Sequence, residues 1–481
     1  MRIGILLGSI HRGFLVGVGA ELSKRHDVFF VALNAAVKKF VDLFHPEFSE
    51  RTVNVDGLVA VDDSRDVVQE CLQRESRYGV RFSFLLAQDR GLGKGYLSNV
   101  QWHPDRADSA WEKDRKLAAL LGDMQAIEEV CSRHSPDVML GYFNITKYNV
   151  VLRHLGIPYL SLAPVKFHSR YLWSDDEYIT SREFVEKVKE YAADPLDEGF
   201  TIPEYAQVDA SAYLFKKLKV GYLSKIHQAL RIAEDELKKL VFRRRPENAY
   251  RFMGWVWPVL RYPGMYGYMM KHGVVPDDLR GSRVVFFPLH YEPEVALMSF
   301  SPEVNNSYEV ISWLSKSVPS DTYVVIKEQP HMFGMRSKWY YDLYRKMGNV
   351  AFARPDVTSW EWIRRCDVAS TITGTVATES VFFEKPLLSF NTHNIVNLLP
   401  SVRVASNYEE TRRGLDDLLQ LTDRAVLKKS RYALCRALLD VSFDLPEFTS
   451  YMKKNAIPEA LAQTAAQALH DHYPAIFRGE A

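Results

Sequence analysis

The sequence predicts an α/β protein made of two parallel-sheet domains. Three observations carry that expectation. At 481 residues the chain exceeds what one ordinary core covers, which calls for two domains. Strand-like and helix-like segments alternate from the first residues onward. A second and more regular alternating series begins near Ser282.

The opening "RIGILLG" reads as a strand, "GFLVGVGAELSKRH" has helical spacing, and "DVFFVAL" is a strand again, a βαβ beginning. A charged, helix-rich section follows over roughly residues 62–133 and includes "AWEKDRKLAALLGDMQAIEEVC". The alternation returns at "DVMLGYF", "KYNVVLRHLG" and "IPYLSLA". The second series runs from the strand "SRVVFFPL" through helix "SYEVISWLSKSV", strand "TYVVIKE", helix "KWYYDLYRKM" and strand "NVAFARP". It continues with helix "SWEWIRRC", strand "DVASTI", helix "TVATESVFFE" and strand "KPLLSF". After Leu445 the tail reads as helices, "PEALAQTAAQALHDHY" most clearly. The expected division is a first domain at 1–255, a basic aromatic linker at 256–282, a second domain at 283–440 and C-terminal helices at 441–481.

Apolar content of 47%, charged content of 25% and a net charge of +1 describe an ordinary globular chain with no global field for nucleic acid. The four cysteines, Cys71, Cys131, Cys366 and Cys435, are far apart and form no CxxC pair, which predicts reduced thiols of a cytoplasmic protein. No His/Cys/Asp cluster has metal-ligand spacing, and no Asp-x-Asp motif occurs, so neither metal nor cofactor is expected. "GSIHRG", Gly8 to Gly13, lacks the third glycine of a dinucleotide fingerprint.

Three strands of the second series end in polar residues. They are followed by His290, Glu292 and Glu294; by Lys327, Gln329 and His331; and by Thr373, Gly374 and Thr375, with Glu379 one turn further on. In a parallel sheet these ends leave one edge, so they should converge on a ligand. A glycine between two hydroxyl residues at a helix start suits phosphate, Lys327 can add counter-charge, and Glu379 can accept from a ribose diol. The plainer reading of Thr373 and Thr375 is a helix cap.

The order "FFPLHYEPE", "VVIKEQPHMFGMRS" and "ARPDVTSWEWIRRCDVASTITGTVATESVFFEKPLLSF" resembles the capsule polysaccharide biosynthesis family, over roughly residues 284–390. A weaker echo lies at "AQDRGLGKGY" and "KFHSRYLWSDDEY". That family comprises GT-B-type glycosyltransferases of bacterial surface polysaccharides, some transferring Kdo from CMP-Kdo. The resemblance implies two Rossmann-like domains facing a cleft, with a nucleotide sugar held mainly by the second and C-terminal helices that pack back toward the first. The family usually has Lys-Glu-His-Pro where this chain has Lys327-Glu328-Gln329-Pro330, and glutamine binds phosphate without carrying a proton. An inverting transferase also needs a general base from the first domain, for which Asp175, Asp176 and Glu177, His11 and Asp89 are candidates.

Residues 213–272 hold 13 Lys/Arg against 4 Asp/Glu and 11 aromatic residues. Anionic headgroups attract such a stretch, and Trp255, Trp257 and Tyr262 suit the headgroup layer, so peripheral contact at the inner face of the cytoplasmic membrane is expected. The plainer reading is an interdomain helical hairpin with aromatics in the core. The expected partners are a nucleotide-sugar donor and a glycan or glycolipid acceptor. Rival readings are a CDP-polyol phosphotransferase, a sugar-nucleotide 2-epimerase-like enzyme, and a nucleotide-binding scaffold without turnover.

Overall fold

Runs such as "RIGILL" and "DVFFVA" place apolar residues at successive positions, which a strand tolerates only when both faces are covered. The computed structural model, which describes residues 1–56, 58, 66–89, 92–93, 113–143, 145–178, 180–197, 199–205, 221–241, 252–292 and 294–477, covers both. Its strands in chain order are β1 (Arg2–Leu7), β2 (Asp27–Ala32), β3 (Thr52–Asn54), β4 (Val138–Tyr142), β5 (Tyr159–Pro164) and β6 (Arg170–Ser174). Then come β7 (Arg283–Pro288), β8 (Thr322–Lys327), β9 (Val350–Phe352), β10 (Val368–Thr371), β11 (Leu387–Ser389), β12 (Val402–Val404) and β13 (Phe443–Asp444).

The chain forms two compact α/β units. One gathers Met1–Gln88, the stretch ending at Pro203, and Ala433–Ala481; the other is centred on Glu204–Tyr432. In the first, the strand order is β13-β6-β5-β4-β1-β2-β3. Strands β3, β2, β1, β4 and β5 are parallel, and β6 turns back antiparallel against β5. In the second, β12-β11-β10-β7-β8-β9 is parallel throughout. Both sheets therefore reverse direction of growth beside their first strand, between β1 and β4 and between β7 and β10. That reversal is the topological switch point of a Rossmann-like sheet.

Helices cover the faces. Arg12–Leu22 buries Phe14, Leu15 and Val18 in the first core and packs against the C-terminal helix Glu459–His472, whose Ala462, Ala465 and Leu469 complete that core. The small alanines let the two helices approach closely. Trp173 of β6 fixes the same helix by donating Nε1–H to the Ala465 carbonyl at 2.9 Å.

The expected linker at 256–282 is instead a helix, Val256–His272, whose Tyr262 and Met269 belong to the second core. A second helix, Tyr222–Val241, packs along it. The chain from Glu204 therefore belongs to the second unit, not to a first domain reaching residue 255. The reason is that the aromatic residues recur at helical spacing and bury one face, which a linker would leave in water.

Candidate functional site

The switch point of the second sheet is built by loops that leave β7, β8 and β10. Beyond β7, Leu289 donates its N–H to the Lys327 carbonyl, which carries the β7–β8 ladder one step past the strand. His290 follows. Its Nε2 accepts the Thr373 N–H from beyond β10 at 2.9 Å, so the two loops flanking the switch point are joined directly. The Gly374 N–H goes to the Thr371 hydroxyl at 3.0 Å. A Cβ at Gly374 would lie 2.8 Å from that hydroxyl, so the glycine is required by this tight turn.

Below this contact lies a buried charge network. Arg336 has no exposed surface and pairs with Glu328 at 2.6 Å and with Glu292 at 3.3 Å. It also donates to the His290 carbonyl at 2.7 Å. Tyr341 donates its hydroxyl to Glu328 at 2.8 Å, and Ser307 donates to Glu292 at 3.1 Å. Burial pushes the Glu292 carboxyl up, while burial opposes the Arg336 charge and the two carboxylates override it. The network ties the β7 loop to the β8 loop and holds the His290 backbone in place.

Arg336 and Tyr341 were not among the residues expected at the site. The signal was present in "EQPHMFGMRS", where an arginine follows an acidic strand end across the apolar run "MFGM". Only the fold shows that it turns inward.

The remaining predicted residues distribute as follows. Lys327 is buried and donates to the Val357 carbonyl at 2.7 Å and the Pro355 carbonyl at 3.4 Å, so it fastens the loop after β9. That placement turns the ammonium expected to add counter-charge toward two backbone carbonyls. Glu379 is likewise buried in the helix Val376–Phe382, where its charge adds to burial in raising the Tyr205 hydroxyl. Gln329 is half-buried, with its N–H on the Glu328 carboxylate at 2.6 Å. His331 and Thr375 are exposed, and Glu294 precedes the helix Val295–Phe300 as its exposed N-cap residue. Tyr291 meets the His331 ring edge-on at 6.5 Å.

The first unit presents its own histidine beyond β1. His11 is in the left-handed region with φ 56° and donates its N–H to the Met452 carbonyl at 2.9 Å. Its ring stacks on Phe448 at 4.1 Å and leans on Tyr142, at the end of β4, at 4.3 Å. Burial lowers its pKa to about 4, so the imidazole is neutral at neutral pH, and among the described residues its Nδ1 meets no hydrogen-bond partner. Asp176, after β6, accepts the Tyr178 N–H at 2.8 Å and the Thr180 N–H at 3.1 Å, both on Oδ1. Burial raises its pKa. Asp175 accepts the Arg182 N–H at 3.2 Å, at the start of the helix Arg182–Ala193. Glu177 is engaged by Arg153 and Asn149. Asp89, expected in the first domain, falls in the second unit and accepts the Leu92 N–H at 3.0 Å; most of the glycine-rich stretch beside it lies outside the described residues.

No family model matches the chain, and no curated protein matches it. Among solved structures it is similar to KpsC, a beta Kdo 2,7 transferase of Thermosulfurimonas dismutans, at 12% identity and TM-score 0.33, covering 72% of this chain and 89% of that one. It is also similar to a UDP-GlcNAc 2-epimerase of Methanocaldococcus jannaschii at 12% identity and TM-score 0.25, covering 88% and 94%. The spinosyn rhamnosyltransferase SpnG, complexed with thymidine diphosphate, matches at 10% identity and TM-score 0.27, covering 96% and 99%. At such identities and scores these likenesses carry no argument about chemistry.

Proposed function

We propose that the chain is a glycosyltransferase that takes its sugar from a nucleotide-sugar donor bound at the switch point of the second sheet. The observation that supports this most is the direct bond from Thr373 N–H to His290 Nε2 at the point where strand order reverses. Open α/β sheets bind their ligands outside the carboxyl ends of the strands at that point. The exposed Thr375 and His331 and the half-buried Gln329 supply polar groups around it. The acceptor in this reading is a glycan or glycolipid of a surface polysaccharide, with a CMP-sugar such as CMP-Kdo as donor.

Proton removal from the acceptor is assigned to Asp176. Two backbone amides fix its orientation, and burial lifts its pKa toward the working range of a base. His11, lowered to about 4 by burial, is the other candidate base.

Thermal-shift titration against CMP, CDP, UDP and GDP tests the donor site, because a ligand at about 100 times its Kd adds about 2.7 kcal/mol of stability. Stabilisation by one of the four is expected. If none stabilises the protein, the donor reading fails. Asp176→Asn should keep that shift and lose about a hundred- to ten-thousand-fold in turnover.

A further inference from the structure

The helix Tyr222–Val241 is packed inside out. Its buried residues are Lys225 and Ala229, and the Lys225 ammonium sits 4.2 Å over the Tyr262 ring. Its large aliphatic residues face water instead: Leu223 is 85% exposed, Leu230 64% and Leu240 53%, with Ile226 and Leu237 nearly as open. These five recur at intervals of three, four, seven and three residues, which gathers them on one stripe of the helix. A soluble helix that buries a lysine and exposes five aliphatic residues has its apolar face turned toward something else.

We infer that this stripe inserts into the interface of an anionic lipid membrane, with the helix lying in the membrane plane. Charge complementarity identifies the occupant. Arg231, Lys238 and Lys239 are on the same helix, the two lysines paired with Glu234, Asp235 and Glu236, and the excess positive charge comes from the sequence that continues at once with Arg243, Arg244 and Arg245, which lie outside the described residues. Residues 213–272 carry 13 Lys/Arg against 4 Asp/Glu. A two-fold dimer through the stripe would set two such cationic stretches against each other, whereas an anionic leaflet attracts them. Trp257, exposed on the helix that packs alongside, is a residue type suited to the headgroup layer. No described helix is long and apolar enough to cross a membrane, and an in-plane helix does not need to be. Tyr262, by contrast, is in the core and takes no part.

The test is co-sedimentation of the full chain with vesicles of phosphatidylcholine alone and of equal parts phosphatidylcholine and phosphatidylglycerol. Binding to the mixed vesicles, weaker on the neutral ones and reduced by salt, is expected. Leu230→Asp/Leu237→Asp should lose more than tenfold of that binding. As a second readout, Leu230→Cys carries an environment-sensitive fluorophore, since the four native thiols are buried. A blue shift on adding mixed vesicles is expected. Failure of the wild type to bind mixed vesicles overturns the inference, as does an unshifted fluorophore. A wild type that is dimeric until the double substitution makes it monomeric also overturns it, because a second copy would then cover the stripe. None of these readouts requires donor or turnover, so their failure is distinct from failure of the donor site.

Discussion

Arg336 shows what one side chain contributes here. It neutralises two carboxylates that no water reaches and also holds the His290 carbonyl. Removing it leaves Glu292 and Glu328 buried without their counter-charge, so Arg336→Met should cost about 3–5 kcal/mol in urea unfolding. A loss below about 1 kcal/mol would be that of a surface pair and would contradict the buried network. His11 supplies a pH-dependent counterpart. Its folded pKa of about 4 lies below the ordinary 6.5, so between these values the unfolded chain binds a proton that the native state does not. Stability therefore rises with pH across that window: the contribution is complete above about 6.5 and is lost as pH falls toward 4, by up to about 3 kcal/mol. His11→Asn should flatten this part of the stability curve, and an unchanged slope would refute the assignment. Single residues of this kind were legible as polar groups at strand ends. Their partners were not, because Lys327 turns inward to two carbonyls and Arg336 to two acids through loops with no sequence periodicity.

Among the elements, the strands and their flanking helices were the most legible. "TSWE" is a capping box, in which the Thr358 hydroxyl accepts the Glu361 N–H and Glu361 accepts back from Thr358, and the helix Ser359–Arg365 begins there. The least legible element was Val256–His272. Its mixture of basic and aromatic residues reads as a linker, yet its buried face meets the loop after β8. Gly334 makes that meeting feasible: φ is 86°, and an added Cβ would lie 2.1 Å from the Pro258 carbonyl oxygen. Gly334→Ala should therefore destabilise the protein by about 2 kcal/mol or more, measured by denaturant unfolding. A neutral result would show that the helix and loop are not in contact.

For the molecule as a whole, the two sheets share the order of five parallel strands about the switch point, and the donor site is assigned to only one of them. Hydrogen exchange in the presence of the stabilising nucleotide should slow at residues 289–292, 327–332 and 372–376, with β1 and β4 unchanged. Protection centred on the ends of β1 and β4 would move the donor to the first unit. The sequence by itself determined the α/β class, the two alternating series and the three polar strand ends, because continuous apolar runs and helical spacing are local properties of the chain. Tertiary structure alone decided that Glu204–Tyr432 belongs to one unit and that Lys327 is buried while Leu223 is exposed. Those outcomes depend on which face of an element finds a partner far away in the chain, and residue spacing supplies the face without naming the partner.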